Sequence, residues 1–598
     1  MSDFTAPLDD LRFVLENVID LEGVTKLEPF SHVDPETVFG VLDENARFIE
    51  QVIAPLNRSG DIQHSRWDAG KVATPEGFRE AYDRYVAAGW CGVPFPDDYG
   101  GGGFPWLVGV VLQEILTAAN LSFSMCPLLT QGAIDMLLSH GNEEQRERYL
   151  PKMVTGEWAG TMNLTEPQAG SDVGAITTKA IPADEGSWRL SGQKIFITFG
   201  EHDLSDNIIH LVLARVPDAP PGTKGISCFI VPKHLVNDDG SLGERNAVEC
   251  VSIEHKMGIN ASPTCVMSYD NAVGFLIGEV NEGMRYMFTM MNTARVVVGV
   301  QGLAVGERAY QQALSYAHER RQGRPPGAPP SEQTHIVELP DVRRMLLTMR
   351  ALVEAMRCLV YVNAECVDLA RHHPDDSVRQ WRQELADLLT PITKAWCTDM
   401  GVEVTSLAIQ VYGGMGYIEE AGVAQYYRDA RIAPIYEGTN GIQAMDLVGR
   451  KLPMRDGGVI RDLLSEIDAT ATQIREAESD AITPIGERLA EAQRALTQAT
   501  EWLLTNGLAD PNNALAGATP YLRMCGIVAG GWLMARSAWS AQRRLAAGDA
   551  EGRSGTSAEQ LEQKTVTARF YCEQWLPQAA GLVPSVTAGP RDLVAASL

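Results

Sequence analysis

The chain is short of positive charge, with 50 lysines and arginines against 77 aspartates and glutamates and a formal net charge of −27 over 598 residues. Such an excess of acidic groups opposes long-range attraction to nucleic acids and anionic membranes, although a local basic pocket could still hold a phosphate. We therefore expect neither nucleic acid nor a membrane surface as a main partner.

Long apolar runs are also lacking. The longest stretches, such as MCGIVAGGWLMA at 524–535, fall short of the roughly 20 residues that a membrane-spanning helix needs. The N-terminal segment MSDFTAPLDDLRFVLENV has no basic region followed by an apolar run, so it does not resemble a signal peptide. We expect no membrane insertion and a cytoplasmic location.

The ten cysteines form no C-x-x-C pair and no metal-type cluster with histidine. Scattered cysteines of this kind are typical of buried apolar residues in a reducing compartment. The sequence thus offers no metal site, and its cysteine usage agrees with the cytoplasmic location.

What the chain does contain is apolar material for several domains, since a single core stops growing at roughly 250 to 300 residues. Apolar residues recur at helical spacing before 157 and after 280, whereas short β-rich runs such as IIHLVLARV fill the region between. An Ala- and Leu-rich helical block follows residue 455. The predicted domains are an N-terminal extension (1–35), a helical domain (36–157), a β-domain (158–279), a helical bundle (280–452) and an additional C-terminal helical domain (455–598).

Two segments of the β-rich region could contact a ligand. In MNLTEPQAGSDVG (162–174), small residues allow close backbone approach, and the hydroxyls of Thr165 and Ser171 offer hydrogen bonds. In KIFITFG (194–200), Phe196 and Thr198 lie two residues apart and so on one strand face, where they could support a planar ring. Taken alone, the first segment is better explained as a turn, and the second as an ordinary half-buried strand.

Three segments of the second helical region carry candidate residues. YAHERRQGR (316–324) places Arg320 at a helix end, where it could bind a pyrophosphate or simply complement the helix dipole. QVYGGMGY (410–417) has the glycines of a helix C-terminus. PIYEGTNGIQ (434–443) carries Glu437 with no basic residue nearer in sequence than Arg431 and Arg450, which alone suggests a solvated loop acid.

The order of these segments, together with AGWCGVPFPDDYGGGG, EHKMGINASPTC and MNTARVVVGVQGLAVGERAYQQAL, closely resembles the acyl-CoA dehydrogenase family over about residues 40–450. The added C-terminal region is similar to that of a subgroup of longer bacterial members. The resemblance implies a mainly α fold with an inserted β-domain: an N-terminal helical domain, a middle β-barrel or sandwich, a C-terminal four-helix bundle and a further helical domain.

The resemblance also implies an FAD-dependent enzyme that converts an acyl-CoA thioester to a trans-2-enoyl-CoA. Glu437 would remove the α-proton, the β-hydrogen would leave as hydride to flavin N5, and an electron-transferring flavoprotein would accept the electrons. The backbone N–H of Glu437 and a ribityl hydroxyl would bind the thioester oxygen. A neighbouring cation would lower the pKa of such a base, so the absence of one nearby in sequence agrees with this role.

The remaining site residues follow from the same resemblance. Expected FAD contacts are Met162, Leu164, Thr165, Ser171, Phe196, Ile197, Thr198, Arg320, Gln410, Gly413, Gly414 and Thr439. Expected substrate contacts are Ser171, Asn292, Arg295, Glu437 and Gly438. In the family, the arginine and the Gln-x-x-Gly-Gly stretch act from the neighbouring subunit, which implies a homodimer or a higher homo-oligomer.

Three departures from the family pattern leave details open. Phe196 stands where the family has Trp, and Asn292 stands where it often has Asp. A Gly-Arg pair and a Pro-rich loop follow Gln322 in place of Phe-Gly, so the FAD contacts around 321–334 are undefined. The acyl tunnel is expected near 121–137, where Met125 and Leu129 could shorten it.

The sequence leaves alternative functions open. The substrate could be a fatty acyl-CoA or 3-methylmercaptopropionyl-CoA, and the electron acceptor could be oxygen, as in an acyl-CoA oxidase. A DNA-binding family member without dehydrogenase activity is a remote alternative, because the chain and its C-terminal region are rich in acidic residues.

Overall fold

The computed structural model describes residues 4–597 apart from 325, 326, 328, 330–332, 478, 508 and 549–555. The described residues fall into two compact units. The first comprises 47–104 and 119–297, and the second comprises the described parts of 3–46, 105–118 and 298–598. Helices dominate and the main sheet lies in the first unit, which confirms the predicted mainly α fold with an inserted β-domain.

Helices precede the main sheet in sequence, as predicted. Asn120 and Asn142 cap the last two of them, their side chains accepting hydrogen bonds from Phe123 N (3.1 Å) and Gln145 N (2.8 Å). The N-terminal helices are α1 (Leu8–Asn17), α2 (Leu21–Thr25), α3 (Pro35–Phe48), α4 (Leu56–Gln63), α5 (Phe78–Ala87), α6 (Trp106–Ala119), α7 (Leu121–His140) and α8 (Glu143–Thr155). Helix α7 is long and apolar enough to cross a membrane, but 89% of its apolar window is buried within the protein, as in a core helix.

A short β-hairpin interrupts the helical region and was not predicted. Strands β1 (Arg66–Asp68) and β2 (Lys71–Ala73) pair antiparallel. The two residues between them, Ala69 (φ 44°) and Gly70 (φ 82°), both adopt the left-handed backbone that two-residue hairpin turns require.

The strands after this hairpin are β3 (Trp158–Asn163), β4 (Lys179–Pro182), β5 (Trp188–Thr198), β6 (Asn207–Ala214), β7 (Ser227–Pro232), β8 (His234–Val236), β9 (Leu242–Arg245), β10 (Val248–Ile253) and β11 (Thr264–Leu276). Among the described residues, the main sheet has seven strands in the order β3-β6-β7-β11-β5-β4, with β10 paired to β11. All neighbours are antiparallel except β3 and β6. Strands β6 and β7 are buried throughout, which explains their continuous apolar sequences.

Long helices build the second unit. A Cβ at Gly302 would lie 2.2 Å from the Cys397 carbonyl oxygen, so glycine permits the close approach of two of these helices. The long helices are α9 (Gly283–Glu319), which begins in the first unit, α10 (Pro340–His372) and α11 (Asp376–Tyr412), followed by the short α12 (Ala424–Ala430) and α13 (Asn440–Asp446).

The C-terminal helices pack on this bundle within the same unit. A Cβ at Gly526 would lie 2.2 Å from the side chain of Trp396, which is 1% exposed on α11. These helices are α14 (Gly458–Glu476), α15 (Thr483–Trp502), α16 (Pro511–Ala547), α17 (Ala558–Gln574), α18 (Gln578–Thr587) and α19 (Arg591–Ala595). The long α16 contacts α10, α11 and the helices around it, so it joins the added helices to the bundle.

A buried charge network ties the chain ends to the bundle. The Arg357 guanidinium is 1% exposed and donates to carboxylates on α1, α6 and α9, with distances of 2.6 Å to Glu114 and 3.0 Å to Glu307. Lys564 on α17 binds Asp10 on α1 and lies 3.1 Å from Glu354 on α10. The N-terminal extension, the bundle and the C-terminal helices thereby share one set of ion pairs.

Candidate active site

The sequence-predicted residues divide between the two units. Those at 162–198, 292 and 295 belong to the first unit, and those at 320, 410–414 and 437–439 belong to the second.

Strand β5 ends in a bulge at Phe196. The register with β11 shifts between Cys265, which faces Ile197, and Met267, which faces Lys194, so two residues of β5 share one partner. Phe196 has φ 59° and a side chain 59% exposed, whereas Ile197 is 2% exposed and Thr198 is half-buried. The bulge therefore presents an exposed aromatic ring close in sequence to a partly accessible hydroxyl.

A tight loop follows β3 and is bonded to β5. Glu166 and Ala169 exchange two backbone hydrogen bonds of 3.0 and 2.9 Å, and Ile195 N donates to Thr165 O at 2.9 Å. Leu164 and Ala169 are buried, while Thr165 and Met162 are half-buried and Ser171 is exposed. The structure thus brings the two predicted ligand-binding segments of this unit side by side.

A buried ion pair, which the sequence alone does not reveal, lies beneath this loop. Lys194 Nζ lies 2.8 Å from Glu166 Oε1, and the two side chains are 0% and 2% exposed. Because 28 residues separate them, only the fold brings them together.

Asn292 and Arg295 both lie on α9, where residues three positions apart are neighbours on the helix surface. Arg295 Nη1 is 3.4 Å from Asn292 Oδ1, and its guanidinium lies 5.8 Å from the centre of the Phe288 ring. Met125 and Leu129 on α7 are 3% and 4% exposed. A second pair that sequence reasoning missed, Thr293 with Asp135 on α7, is joined by a 2.6 Å hydrogen bond.

In the second unit, Glu437 occupies a left-handed turn between α12 and α13. Its φ is 55°, and that of Gly438 is 84°. The next residue, Thr439, caps α13 by accepting a hydrogen bond from Ile442 N at 3.3 Å. A left-handed conformation costs about 1–2 kcal/mol for a residue with a Cβ, and such strain is concentrated at functional positions.

Asn440 anchors this turn to α11. Its Oδ1 accepts a 2.8 Å hydrogen bond from Lys394 Nζ, and its Nδ2 donates to Ala395 O, Thr398 Oγ1 and Asp399 Oδ1 at 3.0, 3.0 and 2.7 Å. Lys394 is fully buried. A cation that sequence spacing does not reveal is therefore bonded to the turn, three residues after Glu437.

Tyr436 holds the other side of the turn. Its hydroxyl donates to the Gln301 side chain on α9. Burial, and to a lesser degree the negative charge of Glu437, raise the pKa of Tyr436 well above its usual value, so the phenol stays protonated and remains a donor.

Arg320 lies one residue beyond α9, at the start of a short ladder. Arg321 and His335 form an isolated antiparallel β-bridge, and Gln322 N donates to Thr334 O at 3.0 Å. The Arg320 side chain is exposed, with a 3.3 Å hydrogen bond from Nη2 to Gln322 Oε1. Part of the loop whose FAD contacts the sequence left undefined, at 325, 326, 328 and 330–332, lies outside the described residues.

The Gln410–Gly414 stretch ends α11, as the glycines predict. Gln410 is exposed, Gly413 has φ 61°, and a Cβ at Gly413 or Gly414 would meet nothing within 4 Å. The stretch is therefore open for a ligand to approach its backbone. The rings of Tyr412 and Tyr316 stack 4.0 Å apart and hold the ends of α11 and α9 together.

Family models match the chain almost throughout. They are the acyl-CoA dehydrogenase N-terminal domain (40–157), middle domain (161–272) and C-terminal domain (281–452), and an acetyl-CoA dehydrogenase C-terminal-like domain (463–597). The chain is 47% identical over its full length to a 3-methylmercaptopropionyl-CoA dehydrogenase of Ruegeria pomeroyi, and the alignment covers 100% of both proteins. It is 36% identical to a butyryl-CoA dehydrogenase of Syntrophomonas wolfei, with 96% of each covered.

Solved structures give the same result for the fold. Caenorhabditis elegans ACDH-11 in complex with C11-CoA matches with a TM-score of 0.75 and 19% identity, covering 96% of this chain and 92% of that one. An acyl-CoA dehydrogenase of Bacillus anthracis complexed with FAD matches with a TM-score of 0.71 and 21% identity, covering 96% and 91%.

The chain belongs to the acyl-CoA dehydrogenase family and is an FAD-dependent oxidoreductase of that class. Within the family, it is similar over its whole length to relatives that carry the additional C-terminal domain. These residues fit the cofactor, because an exposed aromatic ring and hydroxyl groups suit a flavin and an accessible guanidinium suits a pyrophosphate.

Proposed function

We propose that Glu437 is the base that removes the α-proton of an acyl-CoA and that the product is a trans-2-enoyl-CoA. The left-handed Glu437–Gly438 turn is the observation that carries this proposal, because it places a carboxylate on a strained residue whose neighbours Tyr436 and Asn440 are fixed by specific hydrogen bonds. When bound, FAD supplies the acceptor for the β-hydrogen, which leaves the substrate as hydride.

The side chains of Tyr436 and Asn440 fix the chain on both sides of Glu437. Asn440 fixes the C-terminal side of the turn to α11, and Tyr436 fixes its N-terminal side to α9. A base held within hydrogen-bond reach of its proton contributes typically 100- to 10,000-fold to the rate, about the effect expected for Glu437. Gly438 leaves space for the thioester, and the Glu437 N–H donates to the thioester oxygen.

The proposed FAD contacts come from several segments of the chain. Thr165, Ser171, Phe196 and Thr198, with the neighbouring Met162, Leu164 and Ile197, would bind the ring system and its polar edge. Arg320 would bind the pyrophosphate, and Gln410, Gly413, Gly414 and Thr439 would supply further contacts. Support comes from the exposure of Phe196 and Arg320 and from the open backbone at Gly413.

The proposed acyl group is short, with 3-methylmercaptopropionyl-CoA as the first candidate and butyryl-CoA as the second. The names of the two relatives, at 47% and 36% identity, support this order. Met125 and Leu129, which could shorten the expected acyl tunnel, are buried on α7. The proposed substrate contacts are Asn292 and Arg295 on α9 and Ser171 in the loop after β3.

We further infer a homodimer or higher homo-oligomer that passes electrons to an electron-transferring flavoprotein in acyl-CoA β-oxidation. Met415, Tyr417 and Ile418 are 50%, 88% and 44% exposed next to the Gln410–Gly414 stretch, an apolar surface suited to a second copy of the chain. All ten cysteines are free and buried, which supports a reducing, cytoplasmic location.

The experiment is a substrate panel on the purified flavoprotein. Acyl-CoA thioesters from butyryl to palmitoyl, and 3-methylmercaptopropionyl-CoA, are assayed with a ferrocenium-type acceptor and separately with oxygen. We expect the highest kcat/KM for 3-methylmercaptopropionyl-CoA and little turnover with oxygen. Preference for palmitoyl-CoA would contradict the substrate proposal, and fast turnover with oxygen would identify an oxidase.

A matched pair of variants tests the base itself. Glu437→Gln should lower kcat at least about 100-fold while FAD content stays unchanged. Glu487→Gln changes an exposed carboxylate on α15 of the same unit and should leave kcat unaltered. Full activity in Glu437→Gln would refute the assignment.

A further inference from the structure

The stability of the β-domain alone does not explain the buried Glu166–Lys194 ion pair. Taking two charges out of water is expensive, and well-packed apolar side chains in place of a buried ion pair are often as stabilising. Here the ammonium and the carboxylate are almost completely removed from solvent, 2.8 Å apart. A function in positioning would explain why charges are placed there.

Both carboxylate oxygens of Glu166 accept several hydrogen bonds. Besides Lys194, Oε1 accepts from Thr178 N at 3.0 Å and Thr178 Oγ1 at 2.6 Å. Oε2 accepts from Thr177 N at 2.6 Å, Thr177 Oγ1 at 2.9 Å and Gln168 Nε2 at 2.7 Å. This set of donors allows a single orientation of the carboxylate.

The pair is ionised at neutral pH. Burial alone would raise the pKa of Glu166, but the Lys194 charge and the hydrogen bonds together lower it to about 2. Burial lowers the pKa of Lys194 to about 8, against the opposing effect of Glu166. The charges therefore hold the donors and acceptors in place across the physiological range.

Lys194 bonds to the chain on both sides of Thr165. Its Nζ donates to Leu164 O at 2.9 Å as well as to Glu166 Oε1. The residue after Lys194, Ile195, donates its N–H to Thr165 O, and the next residue is the left-handed Phe196. One ammonium group thus sets the position of Thr165 relative to Phe196.

We propose that Glu166 and Lys194 are positioning residues that hold Thr165 and Phe196 in the arrangement that receives the flavin ring. The inference rests on the proposed function, because it takes Thr165 and Phe196 as flavin contacts. Neither Glu166 nor Lys194 touches the cofactor in this proposal. Both act through the backbone of the two segments that they join.

The test uses Glu166→Gln and Lys194→Met in the full chain, with Thr177→Val as a milder change that keeps both charges. The control is Asn246→Ala, which removes a buried side chain with hydrogen bonds to Pro232 O and Val273 O elsewhere in the same sheet. The readouts are the melting temperature of the protein, the dissociation constant for FAD and the visible absorption bands of bound flavin, all without substrate.

We expect Glu166→Gln and Lys194→Met to weaken FAD binding about 10-fold or more and to shift the flavin bands. Thr177→Val should act in the same direction with a smaller effect. Asn246→Ala should lower the melting temperature with unchanged flavin bands. If either charge variant folds with normal bands and normal affinity, or if Thr177→Val and Asn246→Ala are indistinguishable, the positioning role is overturned.

The wild-type protein separates the two levels of the proposal. A wild type that binds no FAD contradicts the proposed function itself. A wild type that binds FAD, alongside variants that bind it equally well, contradicts only the role of the pair.

Discussion

Replacing Asn440 by alanine should both destabilise the second unit and slow catalysis. The Asn440 side chain joins the Glu437 turn to α11 through Lys394, Ala395, Thr398 and Asp399. Alanine removes all four hydrogen bonds at once, while the hydrogen bond of Tyr436 to Gln301 on the other side of the turn remains.

The magnitude follows from the partners. The bond from the fully buried Lys394 ammonium is charge-assisted and contributes about 2 kcal/mol, and the bonds to Ala395 O and Thr398 contribute about 0.5 kcal/mol each. Asp399 is exposed and regains water, so its bond adds little. The free energy of unfolding should therefore fall by about 3 kcal/mol.

The effect on catalysis comes from displacement of the base. A shift of about 1 Å in a catalytic group lowers the rate roughly 100-fold, so kcat should fall about 10- to 100-fold while FAD remains bound. Urea unfolding measures the stability change, and ferrocenium-coupled turnover measures kcat. Asn363→Ala is the control, because Asn363 is also buried and hydrogen-bonded to α11, through Thr393, but is not bonded to the turn.

Asn363→Ala should lower stability and leave kcat within about twofold of the wild type. The account of the turn is wrong if Asn440→Ala loses less than about 1 kcal/mol and retains full kcat.

Two further predictions concern charges buried in the second unit. Arg357→Met leaves Glu114 and Glu307 buried without their partner and should cost about 3–5 kcal/mol in urea unfolding, whereas Arg461→Met, at the exposed pair with Glu501, should cost less than about 1 kcal/mol. Equal losses would contradict the network. Burial raises the pKa of Asp368 from 3.8 to about 7, despite donation from the N–H groups of Trp106 and Leu107. The folded state therefore holds a proton that the unfolded state has lost between these values, so the stability due to Asp368 should fall as pH rises through this window, and Asp368→Asn should remove that component of the pH dependence. A wild type and variant with parallel stability profiles from pH 3.8 to 7 would refute it.

Local sequence signals were enough for much of the second helical region. The two glycines after Tyr412 predict the end of α11, and the loop suggested around Glu437 corresponds to the turn before α13. The β1–β2 hairpin was missed although its turn carries an available signal, Asp68-Ala69-Gly70, because its strands are three residues long.

The supporting contacts could not be predicted, because they join residues distant in sequence. Lys194 meets Glu166 across 28 positions, and Lys394 meets Asn440 across 46. Nothing in the local pattern of a lysine on a buried strand or helix distinguishes these residues from ones that reach solvent. The environment of the Glu437 turn, including the buried Lys394, became visible only with the fold.

Whether Glu437 removes the α-proton can be tested by measuring the proton-transfer step alone. A 3-thia acyl-CoA, in which sulfur replaces the β-carbon, keeps its α-hydrogens but has no β-hydrogen to lose as hydride. Incubated with the FAD-loaded protein in deuterated water, it should exchange its α-hydrogens for deuterium, as followed by mass spectrometry. If Glu437 is the base, exchange should be fast with the wild type and with Glu487→Gln, and should not rise above background with Glu437→Gln. Exchange at the wild-type rate in Glu437→Gln would show that another group is the base.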